Sequence, residues 1–377
     1  MHIEKLKLIN FRNYEKIDIK FGNNFNIIFG ENAQGKTNIL EAIFLCASGR
    51  SHRTSKDTDL IRINESGFLI KVEYKKQSME SQIEVLYEKE QKKRIKINEI
   101  PIKKIGNLIG NLNAIIFSPE DLMIIKEGPS ERRRFIDITL SQLRPSYFYD
   151  LQQYAKVLHQ RNILLKDIQK NRNLIDTLEV WNMNMAIIGT KIMKVRHEFI
   201  KKLNKYIEES HRRLAGGQES LKIKYSPSIA IKDFDEKDIK EEFTNTLKKN
   251  INKEILKQST LYGPQRDDYE IRLNDMSLKL YGSQGQQRTA VLSIKLAEME
   301  IMKEEIGEYP VLLLDDVMSE LDNNRQEYLM ENMRHIQTFI TCTDSEFFKK
   351  RDKTEYTFFN IKKGEVTEIK KSIEENN

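Results

Sequence analysis

Cysteine is nearly absent: Cys46 and Cys342 are the only two in 377 residues. Each stands alone in an apolar setting, FLCASG and FITCTD, without the paired spacing of a zinc site. They read as buried thiols of a reducing compartment and not as a disulfide framework. No run of about 18 apolar residues occurs, so no transmembrane helix is expected. The opening MHIEKLKLINFRNYEK reads as a polar-punctuated strand, not a signal peptide, and a soluble, cytoplasmic protein without membrane contact is expected. An excess of one charge is also missing: 63 Lys and Arg face 57 Asp and Glu, a net +6. That balance permits nucleic-acid binding without demanding it. Internal repeats, low-complexity linkers, zinc knuckles and aromatic-rich RNA-binding patterns are all lacking. Any nucleic-acid contact is therefore expected to be to the backbone, with an affinity that falls steeply with salt. The length allows two domains, or one large domain carrying an insertion.

What is present begins with FNIIFGENAQGKTNILEAIFL, residues 25–45. Gly30-Glu31-Asn32-Ala33-Gln34-Gly35-Lys36-Thr37 fits the phosphate-binding loop, between an apolar strand-like run and a helix-period run. The glycines let successive backbone N–H groups turn inward, and the following helix adds the positive end of its dipole. Lys36 is placed to reach the β- and γ-phosphates of ATP, and the Thr37 hydroxyl to hold Mg²⁺.

Such a loop needs an acid on a second strand, and EYPVLLLDDVMSELD at 308–322 supplies it. Val311–Leu314 is continuously apolar, as in a strand buried on both faces, and ends in Asp315 and Asp316. At the carboxyl edge of an open α/β sheet, Asp315 is the expected Mg²⁺ ligand. Asp316 is the candidate base or polariser for water. Shortly before this strand lies YGSQGQQRT, a Gly-rich polar turn that opens a helix. A serine hydroxyl and exposed amides at a helix start form an anion site.

This order of parts resembles the ABC-type ATPase plan, with Ser283, Gln284, Gly285, Gln286 and Arg288 as its signature turn. Ser319 and Asp322 then fall in the segment after the acidic strand. In such heads ATP lies between the phosphate loop of one subunit and the signature turn of another. Seven segments together make the resemblance more specific. They are LINFRNYE (8–15), GENAQGKTNILEAI (30–43), SHRTSKDTDLIR (51–62), FSPEDLMIIKEGPSERRRFID (117–137), TLYGPQRDD (260–268), GSQGQQRT (282–289) and LLLDDVMSELD (312–322). Over nearly its whole length the chain resembles the RecF family of bacterial recombination-mediator ATPases. The resemblance implies an α/β, SMC-like ABC-type head with mixed sheets, carrying an inserted helical hairpin. It also implies an ATP-dependent homodimer that binds double-stranded DNA and single-strand/double-strand junctions. Cooperation with RecR, and through RecO and RecR the loading of RecA, follow from the same resemblance. The sequence departs from the pattern at Gln265, where the family has His. Where ABC transporters carry a His after the acidic strand, Thr341 and Thr343 stand. Asp316 is shorter than the usual Glu, and a stretch around Ile116–Glu120 replaces a recognisable Gln loop. These changes suit slow hydrolysis, a switch and not a motor. A transporter subunit is the alternative, disfavoured by the missing His and the long insertion. An SMC-like or anti-phage nuclease subunit would need a nuclease domain or long coiled coil.

The head is expected at 1–145 and 255–377, and the arm at 146–254. Tyr147, Leu151, Tyr154, Leu158, Arg161, Leu165 and Ile168 form one helical seam. Leu178, Trp181, Met185, Ile188, Ile192, Val195 and Phe199 form a second, so an antiparallel hairpin is predicted. A strand at 221–231 and a charged helix at 235–258 follow. DNA-contact candidates are Arg50 and Arg53, just past the phosphate-loop helix, with Arg132 and Arg133 in the family-like motif. Adjacent arginines on one helix point in different directions, so at least one of 132–134 is expected to form an internal ion pair.

Overall fold

The computed structural model describes residues 1–349 and 355–371, so 350–354 and 372–377 of the expected head lie outside the described residues. In chain order, β1 (His2–Phe11), β2 (Tyr14–Lys20) and β3 (Phe25–Phe29) lead to α1 (Lys36–Ser48). Then come β4 (Gly67–Lys76), β5 (Met79–Glu88), β6 (Arg94–Ile97), β7 (Ile100–Ile102) and β8 (Ala114–Phe117). Three helices follow: α2 (Pro129–Leu143), α3 (Pro145–Lys170) and α4 (Leu178–Leu214). Next are β9 (Leu221–Ser226), α5 (Glu236–Lys249), α6 (Ile251–Lys257), β10 (Asp268–Leu273) and β11 (Met276–Ser277). The chain continues through α7 (Gln284–Ile306), β12 (Val311–Asp315), α8 (Asn323–Asn332), β13 (Thr338–Cys342), β14 (Tyr356–Lys362) and β15 (Glu365–Lys371).

Two compact units result, 1–121 with 299–377, and 122–298. The first contains two six-stranded sheets. One, ordered β2-β1-β4-β5-β6-β7, is antiparallel throughout, and β4 alternates buried and half-buried residues as a sheet with one covered face should. The other, β15-β14-β3-β13-β12-β8, is parallel except at its β15 edge. Its interior strand β12, VLLLD, is flanked by β13 and β8 and buried at every position, which explains the unbroken apolar run. α1 packs against strands of both sheets and is buried without interruption from Ile39 to Ala47. A helix covered on two sides has no polar face to show, so from Ile39 to Ala47 its sequence is apolar except for Glu41. The order β3-β13-β12 places one strand between the phosphate loop and the acidic pair.

The second unit holds the predicted hairpin. α3 and α4 run 26 and 37 residues, roughly 39 and 55 Å of helix, with Pro145 opening the first. The seam positions Tyr147, Tyr154, Arg161, Leu165, Ile168, Leu178, Met185, Ile192 and Phe199 are buried. α4 ends at Leu214, where Gly217 N–H returns to Arg212 O at 2.9 Å. The expected strand is shorter than 221–231, and the charged segment is two helices, α5 and α6. This unit reaches beyond the arm segment 146–254, because α2 and the three-stranded sheet β11-β10-β9 fold with the arm. Arg196, 2% exposed, ties them: it pairs with Asp137 of α2 at 2.9 Å and with Asp267 before β10 at 3.3 Å. The outer edge of β9 is closed by Asn204, whose amide both accepts from Ile223 N–H and donates to Ile223 O at 2.8 Å.

Candidate nucleotide site

The phosphate loop leaves β3 at Gly30 (φ 146) and enters α1 through Gly35 (φ 113), with Ala33 left-handed between them (φ 64). A Cβ on Gly30 would come within 2.4 Å of Ile361 O, so only glycine fits there. α1 starts with no side-chain cap and no acid in its first turn. Its first amides therefore carry the unopposed dipole of the helix, as an anion site requires. Lys36 Nζ lies across the loop, donating to Gly30 O at 2.5 Å and Glu31 O at 2.8 Å. Burial lowers the Lys36 ammonium below its ordinary value, opposed by nearby Cys342, Asp316 and Asp315. Glu31, Asn32 and Ala33 are exposed and Gln34 is half-buried.

Thr37 and Asp315, 278 residues apart in sequence, meet: Thr37 Oγ1 donates to Asp315 Oδ1 at 2.8 Å. A hydroxyl and a carboxylate are hard oxygen donors, the set that suits Mg²⁺, and they sit at the mouth of a phosphate-binding turn. Burial raises the Asp315 carboxyl, Thr341 and Thr37 pull it back through hydrogen bonds, and Glu120 adds repulsion. β8 runs parallel to β12 with Phe117 opposite Leu314, so the Ile116–Glu120 stretch, the expected stand-in for a Gln loop, leaves the sheet next to the strand that ends in Asp315. Thr341, on the intervening strand, donates to Asp315 Oδ1 at 2.7 Å and accepts from Asp316 N–H at 2.9 Å. Thr343 is exposed beyond the strand. Asp316 is exposed and left-handed (φ 54), and Ser319 Oγ donates to its carbonyl at 2.7 Å and its Oδ1 at 3.1 Å. Asp322 caps α8, accepting from Arg325 N–H at 2.9 Å.

The sequence reading missed the clasp around the loop. The β1–β2 turn supplies it: Asn13 Nδ2 donates to Gln34 O at 2.7 Å and Tyr14 OH to Gly35 O at 2.9 Å. From the β14–β15 turn, Gly364 N–H reaches Gln34 O and Lys363 N–H reaches Gln34 Oε1. Arg12, left-handed at φ 55, holds fully buried Glu41 with bonds of 2.8 and 2.7 Å. Burial alone would raise the Glu41 carboxyl, but the bonds from Arg12 and Ser51 hold it below its ordinary value. A glutamate amid the apolar run ILEAIF was the available signal, since a buried acid requires a partner.

Within the second unit, α7 begins at Gln284 and Ser283 caps it. Ser283 Oγ accepts from Gln286 N–H at 3.2 Å, and Gln286 Oε1 accepts from Ser283 N–H at 2.9 Å, a reciprocal capping box. Ser283, Gln284 and Gly285 are exposed, and Arg288 is half-buried one turn on. A Cβ on Gly285 would meet only Ser283 Oγ at 4.0 Å, so packing within the chain does not require glycine here.

The DNA-contact candidates fare differently. Arg132, expected at the DNA surface, is 9% exposed, clamps Asp268 at 2.7 and 3.0 Å, and spends Nη1 on Glu127 O and Ile124 O. Four of its five N–H donors are spent within the chain. Arg133 is half-buried and donates to Asp267 O at 2.7 Å. Arg53 donates to Asn38 Oδ1 at 3.1 Å and lies 3.7 Å from Glu41, while Arg50 is exposed. Gln265 is internal, accepting from Tyr154 OH at 2.5 Å and donating to Tyr262 O at 3.0 Å. Cys46 is buried, and burial pushes the Cys342 thiol up to about 12. Among the described residues, no helix is long and apolar enough to cross a membrane.

The family model described as RecF/RecN/SMC N terminal domain matches residues 2–365. The DNA replication and repair protein RecF of Acetivibrio thermocellus is 58% identical over 97% of this chain and 99% of that one. RecF of Ruminiclostridium cellulolyticum is 52% identical over 97% and 99%. A solved structure of the recombination mediator protein RecF with ATP, in the RecFOR pathway, superposes at a TM-score of 0.91 and 39% identity, covering 99% of this chain and 98% of that chain. The Smc head of Pyrococcus furiosus, at 17% identity and a TM-score of 0.55 over 98% and 96%, shares the fold. With a nucleotide-binding loop, a hydroxyl–carboxylate pair beneath it and this likeness along the whole sequence, the chain belongs to the RecF family of DNA replication and repair proteins.

Proposed function

We propose that this chain is an ATP-switched DNA-binding protein of recombinational repair. ATP and Mg²⁺ are bound by Gly30–Thr37 with Asp315, and two copies close on the nucleotide, each lending Ser283–Arg288 to the other's site. Mg²⁺, when bound, supplies charge neutralisation at the phosphates. Thr37 and Asp315 hold it, Lys36 takes the β- and γ-phosphate charge, and Asp316 receives the proton of the attacking water. Asp316 is one methylene shorter than glutamate and tethered by Ser319, which supports slow turnover. Slow hydrolysis then resets the dimer. The dimer binds gapped or junction DNA and, with RecR and RecO, promotes RecA loading; in support, the relatives are named DNA replication and repair proteins and the ATP-bound structure is that of a recombination mediator of the RecFOR pathway. Backbone contacts from exposed cations such as Arg50 carry the DNA affinity.

One observation carries the composite site: a capped, exposed helix start whose Gly285 has open space around it and no packing reason to be glycine. A second molecule approaching closely gives that reason. Mass in solution with and without ATP tests it. The parent should double in mass with ATP, whereas Ser283→Arg and Lys36→Met should not.

A further inference from the structure

The signature turn is held from behind. The Gln286 amide works in two directions, accepting from Ser283 N–H and donating from Nε2 to Glu219 Oε1 at 2.7 Å. Glu219 lies in the short connection between α4 and β9, just after the left-handed Gly216 and Gly217. Its other oxygen is 3.3 Å from Nε2 of His211, a fully buried residue in the last turn of α4. His211 Nδ1 meets Ser293 Oγ at 3.0 Å, and Ser293, two turns beyond Gln286 on α7, gives its own proton to Thr289 O. The ring nitrogen is therefore the donor to Ser293, which fixes the ring, and the ring in turn faces Glu219.

We propose that Glu219 is a positioning residue for the half-site that the signature turn contributes in trans. A glutamine side chain left free samples many rotamers. Glu219 selects the one that completes the Ser283 cap and so presets the amides and hydroxyl that a second copy's nucleotide must meet. Because His211 belongs to the arm helix, a displacement at the end of α4 reaches the turn through the same contact. The inference rests on the composite-site reading above.

The test uses the full chain with ATP and Mg²⁺, reading the dimer dissociation constant by sedimentation and, separately, ATP binding at protein concentrations below dimerisation. Glu219→Ala should weaken the dimer about tenfold, the worth of one hydrogen bond to a charged acceptor, with ATP binding by the monomer unchanged. Glu219→Gln, which keeps an oxygen for Gln286 Nε2, should recover most of the loss. Added to Gln286→Ala, Glu219→Ala should cost nothing more, since the two act through one contact. The proposal is overturned if Glu219→Ala dimerises like the parent while Ser283→Arg does not. It is also overturned if the two effects add, or if monomer ATP binding falls in parallel, as a merely structural role would require. Unimpaired dimerisation of Ser283→Arg would instead overturn the composite-site reading itself.

Discussion

Asp316 occupies a backbone conformation that a non-glycine residue adopts at a cost of order 1 kcal/mol, at φ 54. Ser319 and Thr341 hold it there through three hydrogen bonds. Its position beside Asp315, outside the strand and exposed, suits a base that must face water. Asp316→Asn should therefore lower ATP turnover about a hundredfold, the usual worth of a positioned base, with ATP binding intact and the dimer longer-lived. Parental turnover in single-turnover kinetics would assign the base elsewhere. The arginines divide in the same way. Arg50→Ala should reduce the slope of log affinity for DNA against log salt by about one, the mark of a phosphate contact. Arg132→Ala should leave that slope unchanged and lower stability, because the side chain is buried and four of its five donors are spent on Asp268 and two carbonyls. A changed slope for Arg132→Ala, measured by fluorescence titration, would return it to the DNA surface.

At the scale of elements, periodicity carried α3 and α4 because each seam is apolar every three or four residues. Arg161 sits on that seam at a position the pattern assigns to the core, and the core accepts it through three buried partners, one to each nitrogen. Its Nη2 pairs with Glu254 at 2.6 Å, both side chains being 0% exposed, while Nε donates to Asn182 and Nη1 to Thr260. Removing one member leaves a buried uncompensated charge. Arg161→Ala should cost about 3–5 kcal/mol in denaturant unfolding, and Arg161→Met with Glu254→Gln should recover much of it. Equal losses for the single and double variants would mean packing, not charge, is at stake. The phosphate loop, the acidic strand and the signature turn were legible for a related reason, since each needs particular residues at fixed spacing along one segment. The clasp on Gln34 and Gly35 was not legible. It is built from two hairpin turns near opposite ends of the chain, Arg12–Tyr14 and Lys363–Gly364, and backbone N–H groups supply half of it. Nor did residue type reveal that Arg132 is spent internally while Arg50 is exposed. That depends on Asp268, 136 residues away.

For the whole molecule, the proposed function divides the nucleotide chemistry between two segments of the chain. Phosphate loop and acidic pair belong to the unit formed by 1–121 and 299–377, and the signature turn to 122–298. In the proposed dimer, completing a site in trans would make ATP the joint between two copies and turn nucleotide state into oligomeric state. The most direct measurement is the solution mass of the parent, Lys36→Met and Ser283→Arg over a dilution series, with and without ATP and Mg²⁺. The account predicts a dimer for the parent only with ATP, dissociating on dilution, and monomers for both variants under every condition. A parent that stays monomeric at all concentrations with ATP, or a Ser283→Arg variant that dimerises as readily, would contradict it.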